Sequence, residues 1–101
     1  MEQIKVHHNK QQLRFEVEVD GEFAYIDYRY YKENIAYMHA FVPVAARGKG
    51  IAEAIAVEAL DFARATGKKI MLYCPFVSKF VKAHKEYHDL VDRAYHPTFL
   101  R

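Results

Sequence analysis

Only one cysteine, Cys74, stands in the 101 residues. This excludes an internal disulfide and a zinc site built from several thiolates. Tryptophan is absent, and glycine and proline are scarce, at four and three residues. With 51% hydrophobic and 28% charged residues, that composition excludes a disordered segment and describes a folded globule. No apolar run approaches the ~20 residues of a spanning helix. Met1 to Gln12 is polar and mixed in charge, with no apolar run of signal-peptide length. A cytoplasmic protein without membrane contact is expected. Charge of one sign is also lacking: Lys+Arg 15 against Asp+Glu 13 gives +2 with the His neutral, which argues against a dedicated polyanion binder. No linker and no internal repeat divides the chain, so a single domain over 1–101 is expected.

The chain instead offers clear alternation. Leu13, Phe15, Val17 and Val19 alternate with Arg14, Glu16 and Glu18, a period of two that marks a strand with one buried face. Asp20-Gly21 suits a tight turn. Ala24, Ile26, Tyr28 and Tyr30 then alternate with Phe23, Tyr25, Asp27 and Arg29, which completes a hairpin. A second turn near Lys32–Asn34 leads to Ile35–Val42, apolar on both faces apart from His39, as in a covered central strand. A short leading strand is expected at about Ile4–His8.

The pattern changes at Pro43. Val44-Ala45-Ala46-Arg47-Gly48-Lys49-Gly50 reads as a loop, and Ile51 to Thr66, Ala-rich and free of Gly and Pro, as a helix stopped by Gly67. Ile70–Cys74 is a short buried strand, and Pro75 opens a last helix with Phe76, Val77, Phe80 and Val81 as its apolar stripe. The predicted order is β-β-β-β-α-β-α. This is an α+β fold whose sheet is mostly antiparallel, with one parallel strand–helix–strand unit.

Arg47-Gly48-Lys49-Gly50 falls between a buried strand and a helix entrance. The first amides of a helix lack intrahelical partners, and with the helix dipole they form a seat for phosphate. Arg47 and Lys49 add positive charge, and a pyrophosphate-bearing cofactor is the natural guest. The plainer alternative is a connecting loop whose glycines relieve crowding. A P-loop is excluded because Ile51, not Ser or Thr, follows Gly50, and a three-glycine dinucleotide fingerprint is incomplete.

Phe41 to Ala52, on a strand–loop–helix, resembles the coenzyme A motif of the GNAT N-acetyltransferase superfamily, Gln/Arg-x-x-Gly-x-Gly/Ala. Ala45 stands where many members carry Gln or Arg. His39 before the motif, then Tyr73-Cys74-Pro75-Phe76 and His84-Lys85-Glu86-Tyr87 after it, resemble the short single-domain branch, which carries a cysteine at the end of the strand after the coenzyme helix. The likeness spans about Ile35 to Val91. It implies acetyl-CoA as cofactor, with Val42, Val44, Arg47, Gly48, Lys49, Gly50, Ile51 and Ala52 in the coenzyme site. It also implies a backbone N–H around Phe41–Val44 on the thioester carbonyl, an acceptor amine on a small molecule or peptide, and pairing into homodimers. Cys74, at a strand end before a helix start, is the candidate nucleophile. Its alternative is a buried small hydrophobe. His39, expected on one face with Tyr37 and Phe41, is the candidate base; its alternative is a hydrogen-bonded interior histidine.

His84-x-x-x-His88 has a helical metal spacing but lacks the Glu placement of H-E-x-x-H and a third ligand, so no metal site is assigned. Tyr25, Tyr28, Tyr30 and Tyr31 with Arg29 and Lys32 invite comparison with a base-stacking RNA face. The low net charge and missing RNA-recognition signature make that a rival reading, and nucleic acid is not an expected partner. The other rival is a coenzyme A-binding regulatory module without turnover.

Overall fold

The computed structural model describes residues 4–99. Five strands, β1 (His7–Asn9), β2 (Arg14–Val19), β3 (Glu22–Tyr31), β4 (Asn34–Phe41) and β5 (Lys69–Leu72), form one sheet in chain order. The first three junctions are antiparallel and the β4–β5 junction is parallel. Helix α1 (Ile51–Thr66) supplies the crossover, and α2 (Pro75–Ala83) and a 3-10 run, Lys85–Leu90, follow β5. This is the α+β architecture and element order expected from the sequence. The leading strand lies one to three residues later than expected, and Cys74 falls just outside β5, at the cap of α2.

Alternation decides most of what β2 and β3 bury; Glu16, expected on the polar face, is the exception, 6% exposed and paired with Arg14 at 2.6 Å. On β2 and β3 the residues Phe15, Val17, Ala24, Ile26 and Tyr28 lie in the core, with Ile55, Ala59, Leu60 and Ala63 of α1 in the same cluster. Helix α1 runs its whole predicted length because Ala and Leu favour it and nothing interrupts it. Gly67 closes it, its N–H donating to the carbonyls of Ala63 and Arg64. Helix α2 adds Val77, Phe80 and Val81 to the core.

The fourth strand departs from the sequence reading. Asp27 pairs with His39, but the next residue, Tyr28, pairs with Tyr37, so Met38 is an extra residue in β4. A bulge of this kind resets the alternation. Before it, Ile35 and Tyr37 are fully buried. Tyr37 donates its hydroxyl to the carbonyl of Ala59 in α1. After it, Ala40 packs against the core, while His39 and Phe41 are exposed. His39 therefore does not share a face with Tyr37, and only the first half of β4 is covered. Sequence alternation alone carries no mark of an inserted residue.

Past Leu90 the chain returns to the sheet. Val91 bridges Ile70 in parallel, and the Asp92 N–H donates to the Ile70 carbonyl at 3.0 Å. Asn34 Nδ2 holds Asp92 Oδ2 at 2.6 Å, and the Leu72 N–H donates to His96 Nε2 at 2.8 Å. This segment lines the free edge of β5, and no pattern in its sequence marks it as an element.

Candidate functional site

Pairing between β4 and β5 stops at Tyr37 and Leu72. The N–H groups of Tyr73 and Cys74 both converge on the Tyr37 carbonyl, at 3.1 and 2.9 Å. Beyond that apex the strands separate. Met38 to Phe41 have no partner in β5, so backbone groups on that edge of β4 are free to meet a ligand.

The opening leads to the entrance of α1. Val44–Ala46 form a single 3-10 turn, and residues Arg47 to Gly50 complete the approach. Gly50 is the cap of α1 in the left-handed region, φ 74°, and Gly48 has φ 75°. Glycine takes this conformation at no steric cost, whereas other residues are strained there. A Cβ at either glycine would meet no atom within 4 Å, so crowding is not what these glycines relieve. No side chain caps the helix, and the first intrahelical bond runs from the Ala54 N–H to the Gly50 carbonyl. The amides of Ile51, Ala52 and Glu53 are thus without helical acceptors.

Val42, Ala46, Arg47, Gly48, Gly50, Ile51, Ala52, Glu53 and Phe76 enclose a hollow of about 460 Å³ here. Arg47 is anchored over it, its Nε donating to the Val42 carbonyl at 3.1 Å. Six of the eight residues assigned to the coenzyme therefore meet. Lys49 faces a different hollow, beside Lys5 and Val17, and Val44 is 76% exposed outside the cavity. Phe76, expected only in the apolar stripe of the last helix and in the resemblance to the short branch, and Glu53 join the lining as well. They also border a neighbouring groove of about 550 Å³ between α1 and α2, which includes Val57, Lys79, Phe80 and His84. Pro75 at the start of α2 was the available signal, since the residue after it must lie at the mouth of that helix.

Cys74 caps α2 and is 1% exposed, with its side chain in the core cluster. It sits at the apex of the opening but its thiol is closed to solvent. His39 lies on the opposite sheet face, opposite Asp27, whose buried Oδ1 has no hydrogen-bond partner among the described residues. Tyr25 lies beside it, ring centroids 6.1 Å apart. The structure thus does not bring His39 and Cys74 to one surface. The histidine pair is separated as well. Helix α2 ends at Ala83, His84 bonds the Phe80 carbonyl, and His88 bonds the Lys82 carbonyl from the 3-10 run. The spacing of four is not a helical spacing there.

A parallel strand–loop–helix with two left-handed glycines at its entrance, beside strands that part, is the arrangement of a GNAT-like fold. The comparisons agree: the GCN5-related N-acetyl-transferase family profile matches residues 14–90, and the chain belongs to that family. It is 38% identical to Protein NATD1 of Mus musculus over 82 residues, covering 78% of this chain and 74% of the mouse protein. To Protein NATD1 of Homo sapiens it is 37% identical over 82 residues, covering 78% of this chain and 73% of that protein. The protein of that name from Danio rerio is 33% identical over 93 residues, covering 87% and 84% respectively. Among the described residues, no helix is long and apolar enough to cross a membrane.

Proposed function

We propose that the protein is an acetyl-CoA-dependent N-acetyltransferase acting on an amine of a small molecule or a peptide. The observation that carries the reading is the uncapped entrance of α1. Two left-handed glycines there leave three amides without a side-chain cap, beside a cavity lined by Val42 and Phe76 from the segments that follow β4 and β5. Bound there, the thioester supplies an activated acetyl carbon. The amides of Ile51, Ala52 and Glu53 and the guanidinium of Arg47 seat the diphosphate. Phe76 and Lys79 border the contiguous groove, where an apolar wall and an ammonium suit a nucleotide end. The unpaired edge of β4 after Met38 presents N–H donors to a developing oxyanion.

Direct attack by the amine is favoured over an acetyl-cysteine route because the Cys74 thiol is buried, and a nucleophilic thiolate needs access. His39, exposed and opposite Asp27, is the available base on the open face. The reading is tested by calorimetry with coenzyme A and acetyl-CoA, followed by mass spectrometry of an amine panel. Binding with acetyl transfer supports the enzyme, binding without transfer supports a regulatory module, and no binding at millimolar ligand refutes both.

A further inference from the structure

The face of the sheet turned away from α1 holds another hollow, of about 390 Å³, within the usual range of small-ligand sites. Its floor is Ala36 and Met71, 4% and 3% exposed. Tyr31 and Tyr95 form one wall, edge to face with centroids 5.8 Å apart. Met38 and Tyr73 form the other. Tyr95 is held in place by the anchored return of the chain, through Asp92 to Asn34 and Ile70 and through His96 to Leu72. The wall is therefore preorganised rather than a loose tail.

Its position follows from the bulge. Met38 is the extra residue of β4, and Tyr73 is the first residue past β5. These two flank the point where the strands part. The tyrosine hollow reaches that gap through Met38 and Tyr73, on the face turned away from α1, and the glycine-lined cavity begins further along both segments, at Val42 and Phe76. We propose that the tyrosine hollow is the acceptor site, and that it takes a primary amine joined to an anionic group and an aromatic body, an aromatic α-amino acid being the simplest case. This rests on the acetyltransferase reading above.

The lining selects that class. Arg29 is the one charged residue in it. It makes no ion pair or side-chain hydrogen bond among the described residues. A guanidinium with free donors matches a carboxylate. Tyrosine and methionine walls match a flat aromatic body. Aromatic rings alone would also suit a bare ammonium, but no carboxylate lines this hollow, and Asp92 beneath Tyr95 already accepts from Asn34 Nδ2 and the Ala94 N–H. Polyamines are thereby disfavoured. In the transfer, the acceptor ammonium first gives one proton to His39, the base of the reading above, which passes it to solvent. The neutral nitrogen then bonds the acetyl carbon as the carbon–sulfur bond breaks, and the second proton ends on the departing sulfur, giving an amide and the free thiol.

The test uses the whole chain with acetyl-CoA and three acceptors: phenylalanine, phenethylamine (the same skeleton without the carboxylate) and spermidine. Coenzyme binding is measured on the same samples. Phenylalanine is expected to exceed the other two in kcat/KM by at least about tenfold, the scale of one lost charged hydrogen bond. Arg29→Gln, at an exposed position, should raise KM for phenylalanine about tenfold and leave that for phenethylamine unchanged. Tyr95→Ala should weaken both. Equal or better turnover of spermidine or phenethylamine, a preference that survives Arg29→Gln, or coenzyme binding with none of the three acetylated overturns the acceptor assignment alone. Absent coenzyme binding overturns the reading beneath it as well.

Discussion

Two glycines with the same backbone conformation separate folding from binding in one experiment. Gly50, the cap of α1, has φ 74° and ψ 14°, and Gly67, at the other end of that helix, has φ 71° and ψ 20°. At neither does a Cβ meet an atom within 4 Å. Alanine at either site is therefore strained by backbone conformation alone, at a cost of roughly 1–2 kcal/mol. For a domain of this size each kcal/mol lowers Tm by about 4–8 °C. Gly50→Ala and Gly67→Ala should thus lose similar apo stability. Their response to coenzyme A should differ. At a coenzyme concentration a hundred times the wild-type Kd, binding stabilises by about 2.7 kcal/mol. The Gly67→Ala protein keeps that gain. In Gly50→Ala the new methyl stands at the uncapped helix entrance proposed as the diphosphate seat, and a tenfold loss of affinity leaves about 1.4 kcal/mol at the same concentration. A thermal-shift titration of the three proteins reads both quantities. An undiminished coenzyme response in Gly50→Ala, or an equal loss in Gly67→Ala, refutes the assignment of the helix entrance.

Other perturbations address separate features. Cys74→Ala, at a 1% exposed core position, is expected to lower stability by about 1 kcal/mol while acetyl transfer continues; abolished transfer with retained coenzyme binding would establish the cysteine route instead. His39→Ala should lower acetyl transfer at least about tenfold without altering coenzyme affinity, and unchanged transfer would remove His39 from the proton path. His8 bonds the Tyr28 hydroxyl at 2.6 Å. Burial first, then Lys10 and His7, hold its pKa below the ordinary 6.5. The unfolded chain therefore binds the proton first, so stability is complete above about 6.5 and declines as pH falls through that value toward the folded-state pKa. The slope of Tm between pH 7.5 and 5.5 should flatten in His8→Gln, and a slope unaffected by the change would assign the dependence elsewhere. Asn34→Ala removes the donor that holds Asp92 and keeps its carboxyl below the usual carboxylate range. Limited proteolysis should then cut sooner beyond Val91, and an unaltered digestion rate would refute the anchoring role.

Local patterns made most of the fold legible. The alternation from Leu13 to Tyr30 about Asp20-Gly21 gave β2 and β3, because a sheet with one buried face leaves that imprint on every second residue. The uninterrupted run Ile51–Thr66 between glycines gave α1 to the residue. Most of the lining of the hollow at the helix entrance was likewise readable, since a helix entrance after a strand presents its amides whatever the neighbouring side chains are. What escaped depends on pairing between distant segments. Met38 becomes a bulge only through its register against Asp27 and Tyr28. Lys49 sits between two hollow-lining glycines yet turns toward Lys5 and Val17, a direction set by the turn around it. Tyr73 and Tyr95 become neighbours of one cavity only because Asp92 and His96 tie the chain's return to β5.

The single surplus residue in β4 makes position count more consequential there than side-chain identity. Were β4 to straighten with every residue kept, His39 and Phe41 would turn inward and Ala40 outward in one step. A histidine and a phenylalanine would then contend for space beneath α1, and the far surface would lose its two most prominent groups on that strand. Deleting Met38 instead leaves Tyr28 against Tyr37 and Asp27 against His39 in unbroken register, with every later side chain on its present face. Aligning a distant relative through β4 without a gap would equate residues that face opposite ways.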